Sequence, residues 1–294
     1  MTDFRSGSIT ILGRPNVGKS TLLNTILGQK IAIVSTKPQT TRNRLTGIKT
    51  LPDCQMVFFD TPGIHKPLHK LGERMVRSAL DTVRVVDVVL WVVEPKMPGD
   101  DIPQLRDILK TGKGAVLVIN KIDTVRKESL LPVITRYAKE YVFSDIVPIS
   151  AKTGDGVAIL IESIKRLLPK GPPLYPEDMT TDQAERFMVS EIVREKIMLH
   201  TKEEIPFSVA VAVETWDEDA ASGLIRIGAN IYVERASQKG IIVGNHGAMI
   251  KRIGSEARRE IEELMGSHVF LSLWVKVRKD WREDVHFLKE LGFN

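Results

Sequence analysis

The sequence predicts a doubly wound α/β domain followed by a smaller α+β domain, and three observations carry that prediction. Short β-rich apolar runs alternate with helical patterns from Ile9 to about Leu168, the rhythm of a parallel sheet covered by helices on both faces. The stretch Pro169 to Asp178 is too proline-rich to hold a helix or a central strand. Beyond it the order becomes helix, strand, strand, helix, glycine turn, helix, strand. Residues 1–170 are therefore expected to form the first domain, 171–179 a linker and 180–294 the second domain. With 294 residues, 43% of them hydrophobic, the chain has enough apolar surface for two cores.

The first element is the apolar run Ile9 to Leu12, followed by Gly13-Arg14-Pro15-Asn16-Val17-Gly18-Lys19-Ser20 and then the periodic segment Thr21 to Leu27. This strand, glycine loop, helix order makes a phosphate-binding loop. Glycines let consecutive amides converge on phosphate oxygens, and the helix start adds its partial positive charge. Lys19 is placed to reach the β and γ phosphates, and the Ser20 hydroxyl to coordinate Mg²⁺. In the polar stretch Ser35 to Arg44, Thr41 is the favoured hydroxyl for Mg²⁺ and the γ phosphate, with Thr40 as the alternative.

The next strands each end in chemistry. Asp60-Thr61-Pro62-Gly63 follows the apolar run Met56 to Phe59, so Asp60 is expected to hold Mg²⁺ through water and the Gly63 amide to donate to the γ phosphate. Val88 to Val93 reads as a buried central strand, and with Val85-Val86 before it remains far short of the roughly 20 residues that span a bilayer. Asn120-Lys121-Ile122-Asp123 follows Ala115 to Ile119 at another strand end, where open α/β sheets bind ligands. Asp123 accepts two hydrogen bonds from the N1–H and amine of guanine, whereas adenine would leave the carboxylate unpaired. This argues for GTP and GDP over ATP, and against a P-loop kinase or ATPase. Ser150-Ala151-Lys152 follows the strand Ile146 to Ile149, where the small Ala151 lets its amide approach the guanine O6.

Ras-like enzymes place a water-orienting glutamine directly after Asp-x-x-Gly. Here that position is Ile64, with His65 next to it. No general base is assigned; Lys19, Thr41 and Gly63 are expected to stabilise the transferred phosphate. The lone Cys54 has neither a disulfide nor a metal-ligand partner in the sequence, which fits a reducing cytosol, and no secretory signal is visible.

In the second domain, Asp182 to Leu199 reads as an amphipathic helix with Phe187, Ile192, Val193 and Ile197 near one face. Val209, Val211 and Val213 alternate as a strand, and Leu224, Ile225, Ile227, Ile231 and Val233 make a second. A short helix around Gln238 to Val243 leads through Gly244-Asn245-His246-Gly247 into a helix from Ala248 to Met265 and a strand from Val269 to Val277. That order matches a KH domain of the second topological type, whose Gly-x-x-Gly turn clamps about four nucleotides of single-stranded RNA. From Thr180 onward there are 16 Lys and Arg against 19 Asp and Glu, so this domain is not basic overall although the whole chain is formally +5. Its cations gather instead around the glycine turn, at Arg235, Lys239, Lys251, Arg252, Arg258 and Arg259, and at Lys276, Arg278 and Lys279. Single-stranded RNA needs such a local track more than a net charge.

These segments, together with Pro38-Gln39-Thr40-Thr41-Arg42, Pro176-Glu177-Asp178, Glu191-Ile192-Val193-Arg194-Glu195-Lys196 and Leu273-Trp274-Val275-Lys276-Val277, resemble the Era family of bacterial ribosome-assembly GTPases over nearly the whole chain. The resemblance implies a doubly wound P-loop GTPase domain followed by an α+β type II KH domain. It implies that Gly13 to Thr21, Thr40, Thr41, Asp60 to Gly63, Asn120, Lys121, Asp123 and Ser150 to Lys152 bind nucleotide, with Ser20, Thr41 and Asp60 serving Mg²⁺. Gly244, Asn245, His246, Gly247, Lys251 and Arg252 would bind RNA. It further implies 16S ribosomal RNA near its 3′ end and the 30S subunit as partners, a monomer, and a cytoplasmic location with peripheral association at the inner face of the membrane.

Overall fold

The computed structural model describes residues 3–35, 37, 40–63, 67, 69–98, 113–140 and 142–293. The chain forms two compact units, one of residues 1–34, 41–67 and 72–182 and one of residues 35–40, 68–71 and 183–294.

In the first unit, strands β1 (Arg5–Leu12), β2 (Leu45–Leu51), β3 (Cys54–Asp60), β4 (Val88–Val93), β5 (Gly114–Ile119) and β6 (Asp145–Pro148) form one sheet in the order β2-β3-β1-β4-β5-β6. Helices α1 (Lys19–Leu27), α2 (Lys70–Val85), α3 (Leu130–Glu140) and α4 (Val157–Leu167) accompany it. All strand pairs are parallel except β2–β3, which is antiparallel with Leu51 opposite Cys54. Strand β2, which the apolar runs do not announce, is the one antiparallel member of the described sheet. Only Pro52-Asp53 separates the two strands, and two residues suffice for a hairpin but not for a parallel crossover.

The core explains the apolar runs. Every residue of β4 is buried, as are Ile9, Ile11 and Leu12 of β1 and Val116 to Ile119 of β5. Each such side chain contributes about 1.5–3 kcal/mol on leaving water. Parallel strands covered on both faces read as unbroken apolar stretches rather than alternating ones. Because β1, β4 and β5 are neighbours, the segments after Leu12, Val93 and Ile119 emerge side by side at one end of the sheet.

The expected linker is fastened to this unit. Gln55 of β3, fully buried, accepts from the amides of Leu174 (2.6 Å) and Tyr175 (2.9 Å) and donates to the Tyr175 carbonyl at 2.9 Å. Further on, the Ile48 amide donates to Thr180 O at 2.8 Å and the Thr181 hydroxyl to Thr46 O at 2.7 Å.

The second unit is built from α5 (Glu185–His200), α6 (Ile205–Ser208), β7 (Ala210–Asp219), β8 (Leu224–Val233), α7 (Ala236–Val243), α8 (Ala248–Met265), β9 (Val269–Val277) and α9 (Val285–Glu290). Its sheet runs β7-β8-β9, antiparallel then parallel. Ile253, Ala257 and Ile261, four residues apart on one helix face, meet Val189, Val193 and Ile197 of α5 and Ile227 and Ile231 of β8 in a common core. Helix α5 departs from a simple amphipathic pattern, since Arg194, Glu195 and Lys196 are buried as well. They are paired: Arg194 Nε donates to Glu191 at 2.7 Å, and Lys196 reaches both Glu195 and Glu260. After β9, Trp281 is fully buried with its indole N–H donating to Ser208 O at 3.0 Å, and Asp284 caps α9 through the amides of His286 and Phe287.

Candidate nucleotide site and candidate RNA groove

The loop between β1 and α1 adopts a backbone that few residues tolerate. Gly13 (φ 148°) and Gly18 (φ 96°) lie in positive-φ space, and Asn16 joins them at φ 65°. A Cβ at Gly13 would stand 2.3 Å from Val92 O, and one at Gly18 2.3 Å from the Asn120 amide nitrogen. The loop is thus seated on β4 and on the start of the Asn120 segment. Lys19 is buried, and its ammonium donates to Gly13 O (3.2 Å) and Arg14 O (3.0 Å). Burial pulls its pKa down to about 8, against the opposing charge of Asp60. Arg14 is exposed, whereas Val17 is buried and Thr21 partly so.

Three residues expected to serve one cation come together. The Ser20 hydroxyl donates to Asp60 Oδ2 at 2.7 Å, the Thr41 hydroxyl donates to the same oxygen at 3.0 Å, and the two hydroxyls lie 2.9 Å apart. Asp60 is fully buried, and its Oδ1 has no hydrogen-bond partner. Burial pushes its carboxyl above the usual range, while the Lys19 charge and the Ser20 and Thr41 hydroxyls act the other way. Two hydroxyls and a carboxylate are hard oxygen donors, the type Mg²⁺ takes, and the orphaned Oδ1 is a buried acceptor suited to a metal-bound water. The donor set fits the cation. Thr40 takes no part in this cluster: it belongs to the second unit, and its hydroxyl donates to Lys37 O at 2.7 Å. Thr61 is buried with its hydroxyl on Ile11 O at 3.0 Å, Pro62 is buried, and a Cβ at Gly63 would meet Pro15 N at 2.8 Å. Pro38, Gln39, Ile64 and His65 lie outside the described residues.

The residues expected to read the base are joined to one another and to the loop between β1 and α1. Asn120 donates from Nδ2 to Val17 O at 2.8 Å and accepts at Oδ1 from the Ala151 amide at 2.9 Å. The amide expected to meet the guanine O6 is therefore bonded to Asn120. Ser150 donates to Asp123 Oδ1 at 2.7 Å, leaving that exposed carboxylate oriented by one hydroxyl. Lys121, at φ 65°, reaches Asn16 O at 2.6 Å, and Lys152 is exposed. Sequence reasoning missed two supports: Thr25, whose hydroxyl donates to Ala151 O at 2.6 Å, and Glu94, which pairs with Lys121 at 2.5 Å. Neither carries a motif signal by itself.

In the second unit the glycine turn links α7 to α8. Gly244 takes φ 72° and ψ 177°, and a Cβ there would stand 2.6 Å from Met249 Cβ and 2.8 Å from its amide. His246 (φ 47°) and Gly247 (φ 77°) are left-handed, and Asn245 and His246 are exposed. Beside the turn lies a groove of about 320 Å³ lined by Ile250, Lys251, Gly254, Ser255, Arg258 and Leu273, with Leu271 completing the wall. Arg252 is exposed but pairs with Glu256 at 3.1 Å, and Glu256 in turn meets His200 at 2.6 Å. Arg258 is the second cation of the groove, and Arg252 is absent from its lining.

A phosphate loop, a hydroxyl–carboxylate cluster and an Asn–Lys–Asp base segment on one open α/β sheet define a guanine-nucleotide P-loop protein, here joined to a KH-type unit. Residues 8–121 match the family described as 50S ribosome-binding GTPase, and residues 204–282 match the KH domain. The chain is 54% identical to GTPase Era of Geotalea uraniireducens, covering 99% of this chain and 98% of that one. It is 50% identical to GTPase Era of Lacticaseibacillus paracasei over 100% and 98% respectively. A crystal structure of Era in complex with MgGDPNP and nucleotides 1506–1542 of 16S ribosomal RNA superposes with TM-score 0.95 at 40% identity, covering 99% of both chains. An Aquifex aeolicus Era variant bound to GDP·AlF4⁻ superposes equally well. The chain belongs to the Era family of GTPases.

Proposed function

We propose that this protein is a GTP-hydrolysing switch that binds the 3′ region of small-subunit ribosomal RNA and acts in assembly and maturation of the 30S subunit. The observation that carries the nucleotide half is the convergence of Ser20, Thr41 and Asp60 within 3.0 Å of one another beside Lys19. The RNA half is supported by the strained Gly244–Gly247 turn beside a groove that mixes Ile250, Leu271 and Leu273 with Lys251 and Arg258 and by membership in a family with a relative solved on 16S ribosomal RNA. Residues 1–170 supply the nucleotide function and 180–294 the RNA function, with 171–179 between them.

In this reading, the amides of Gly13 to Ser20 and the Lys19 ammonium hold and neutralise the phosphates. Ser20 and Thr41 would hold Mg²⁺, with Asp60 holding it through water; bound there, the metal would neutralise negative charge on the phosphates. Asp123 selects guanine, and the Gly63 amide steadies the γ phosphate. Catalysis rests on positioning and charge, with no side chain assigned as a general base. Gly244 to Gly247 clamp the RNA backbone, and Lys251 and Arg252 contribute positive charge. The protein works as a monomer in the cytoplasm and associates peripherally with the inner face of the membrane; among the described residues no helix is long and apolar enough to cross one.

A ligand shifts a conformational equilibrium only through different contacts with the two states. The γ phosphate supplies such a difference at Thr41 and Gly63. The GTP form should therefore bind RNA more tightly than the GDP form, and RNA should tighten GTP binding by the same factor. The test is the affinity of a labelled RNA with the 3′-terminal sequence of 16S ribosomal RNA, measured in saturating GTP analogue and in GDP. Tighter binding in the analogue supports the switch. Identical affinities reject it, and no binding in either state rejects the RNA assignment.

A further inference from the structure

Lys121 is the least constrained residue of the base-reading segment by its own chemistry. Its backbone sits at φ 65°, a left-handed value uncommon outside glycine, asparagine and aspartate, and its flexible side chain is about one-third exposed. A free lysine of this kind samples many rotamers. Here it does not, because Glu94 comes to meet it. Strands β4 and β5 run parallel with Val93 opposite Ile119, and the Asn120 amide donates to Val93 O at 2.8 Å. The segments that follow, Glu94 on one side and Asn120-Lys121 on the other, are thereby brought alongside each other. Glu94 Oε1 lies 2.5 Å from the Lys121 ammonium, while its Oε2 takes Lys96 at 2.7 Å, which orients the carboxylate. The same ammonium donates onward to Asn16 O in the phosphate loop at 2.6 Å.

We infer that Glu94 is a positioning residue for guanine-nucleotide retention, acting through Lys121. Asn120 makes one tie between the base segment and the phosphate loop, at Val17 O. Lys121 makes a second tie, one residue further along the segment and one residue earlier in the loop, and Glu94 holds it in place. The carboxylate stays charged across the neutral range, since hydrogen bonds from Lys121 and Lys96 hold its pKa below the ordinary value. Its role concerns the base and the loop rather than the γ phosphate. GDP and GTP should therefore be affected alike, and turnover at saturation should not be.

The inference rests on the nucleotide site described above, which binding of fluorescent GDP to the wild-type protein tests separately. Glu94→Gln should raise the dissociation rates of labelled GDP and labelled GTP analogue by the same factor, about two- to fivefold, the range of a partly exposed ion pair. Hydrolysis at saturating GTP should be unchanged while KM rises. In a Lys121→Ala background the Glu94→Gln change should have no further effect. Glu94→Asp, which keeps the charge on a shorter stem, should fall between, and serves if the glutamine variant fails to fold. Unchanged dissociation, a different factor for GDP and GTP, or an equal effect in the Lys121→Ala background would each overturn the inference.

Discussion

The Ser20 hydroxyl and the Asp60 carboxylate, from the start of α1 and the end of β3, meet at 2.7 Å, and Thr41 closes the group on the same oxygen. Asp60 is wholly buried, and such a carboxylate is stable only where donors or a cation meet it. The two hydroxyls fill that need.

Ser20→Ala should lower single-turnover GTP hydrolysis on the order of a hundredfold, the usual cost of losing one preorganised electrostatic contact, and should raise the Mg²⁺ concentration needed for half-maximal rate. Thr41→Ala should cost more than Thr40→Ala, whose hydroxyl is bonded to Lys37 O instead. Phosphate release across a Mg²⁺ titration measures both. Ser20→Ala with wild-type rate and metal requirement would refute the cation assignment.

Base choice should depend on Asp123 strongly and on Ser150 modestly. The wild type should prefer GDP over ADP, because adenine leaves the Asp123 carboxylate without its two donors. Asp123→Asn should move the preference toward xanthosine diphosphate. Ser150→Ala, which removes the 2.7 Å bond to Asp123, should weaken GDP about three- to tenfold. Competition binding against labelled GDP reports all three, and equal ADP and GDP affinity would contradict them.

The second unit should bind RNA through exposed positions that do not hold the fold. Changing Asn245 and His246 together to Asp places like charge against the phosphates and should abolish RNA binding with nucleotide affinity intact. Gly244→Ala differs, because its Cβ would meet Met249 at 2.6 Å; it should destabilise this unit by about 1–3 kcal/mol as well. Filter binding and thermal melting separate the two outcomes.

Asp284 should make the stability of the C-terminal region sensitive to acid. The Phe287 amide, then Arg278, hold its carboxyl below the ordinary 3.8. A depressed folded-state pKa contributes stability that is complete above the unfolded value and is lost as pH falls through the folded one. The difference in thermal midpoint between the wild type and Asp284→Ala should be full at neutral pH and vanish below that range. A difference that persists in strong acid would assign the capping effect to something other than charge.

How much was legible depended on whether a residue acts through a pattern or through a neighbour. Helix α8 and strand β9 were readable to their ends, since Ile253, Ala257 and Ile261 repeat every fourth position and Gly266 stops the helix at φ 62°. The phosphate loop and the base segment were readable because their chemistry demands fixed spacings. The reversal of β2 was not, because direction comes from the two-residue turn before β3 rather than from composition. Glu94 was invisible for a related reason: one acidic residue after an apolar strand looks like a solvated strand end until the parallel neighbour brings Lys121 beside it. The buried charges of α5 were hidden likewise, since Glu260, 64 residues away, supplies the partner of Lys196.

Asn120 holds Val17 with its nitrogen and Ala151 with its oxygen, so one amide group closes three segments that lie 103 and 31 residues from each other along the chain. Contacts of such separation carry a loop-closure cost and cannot form until both partners have been synthesised. During synthesis, then, the phosphate loop emerges early yet stays without its far wall until the Ser150–Lys152 segment has left the ribosome. Nucleotide affinity should appear abruptly, late in the birth of the first domain. Chains truncated before Ser150 should accordingly bind guanine nucleotide far more weakly than the full first domain.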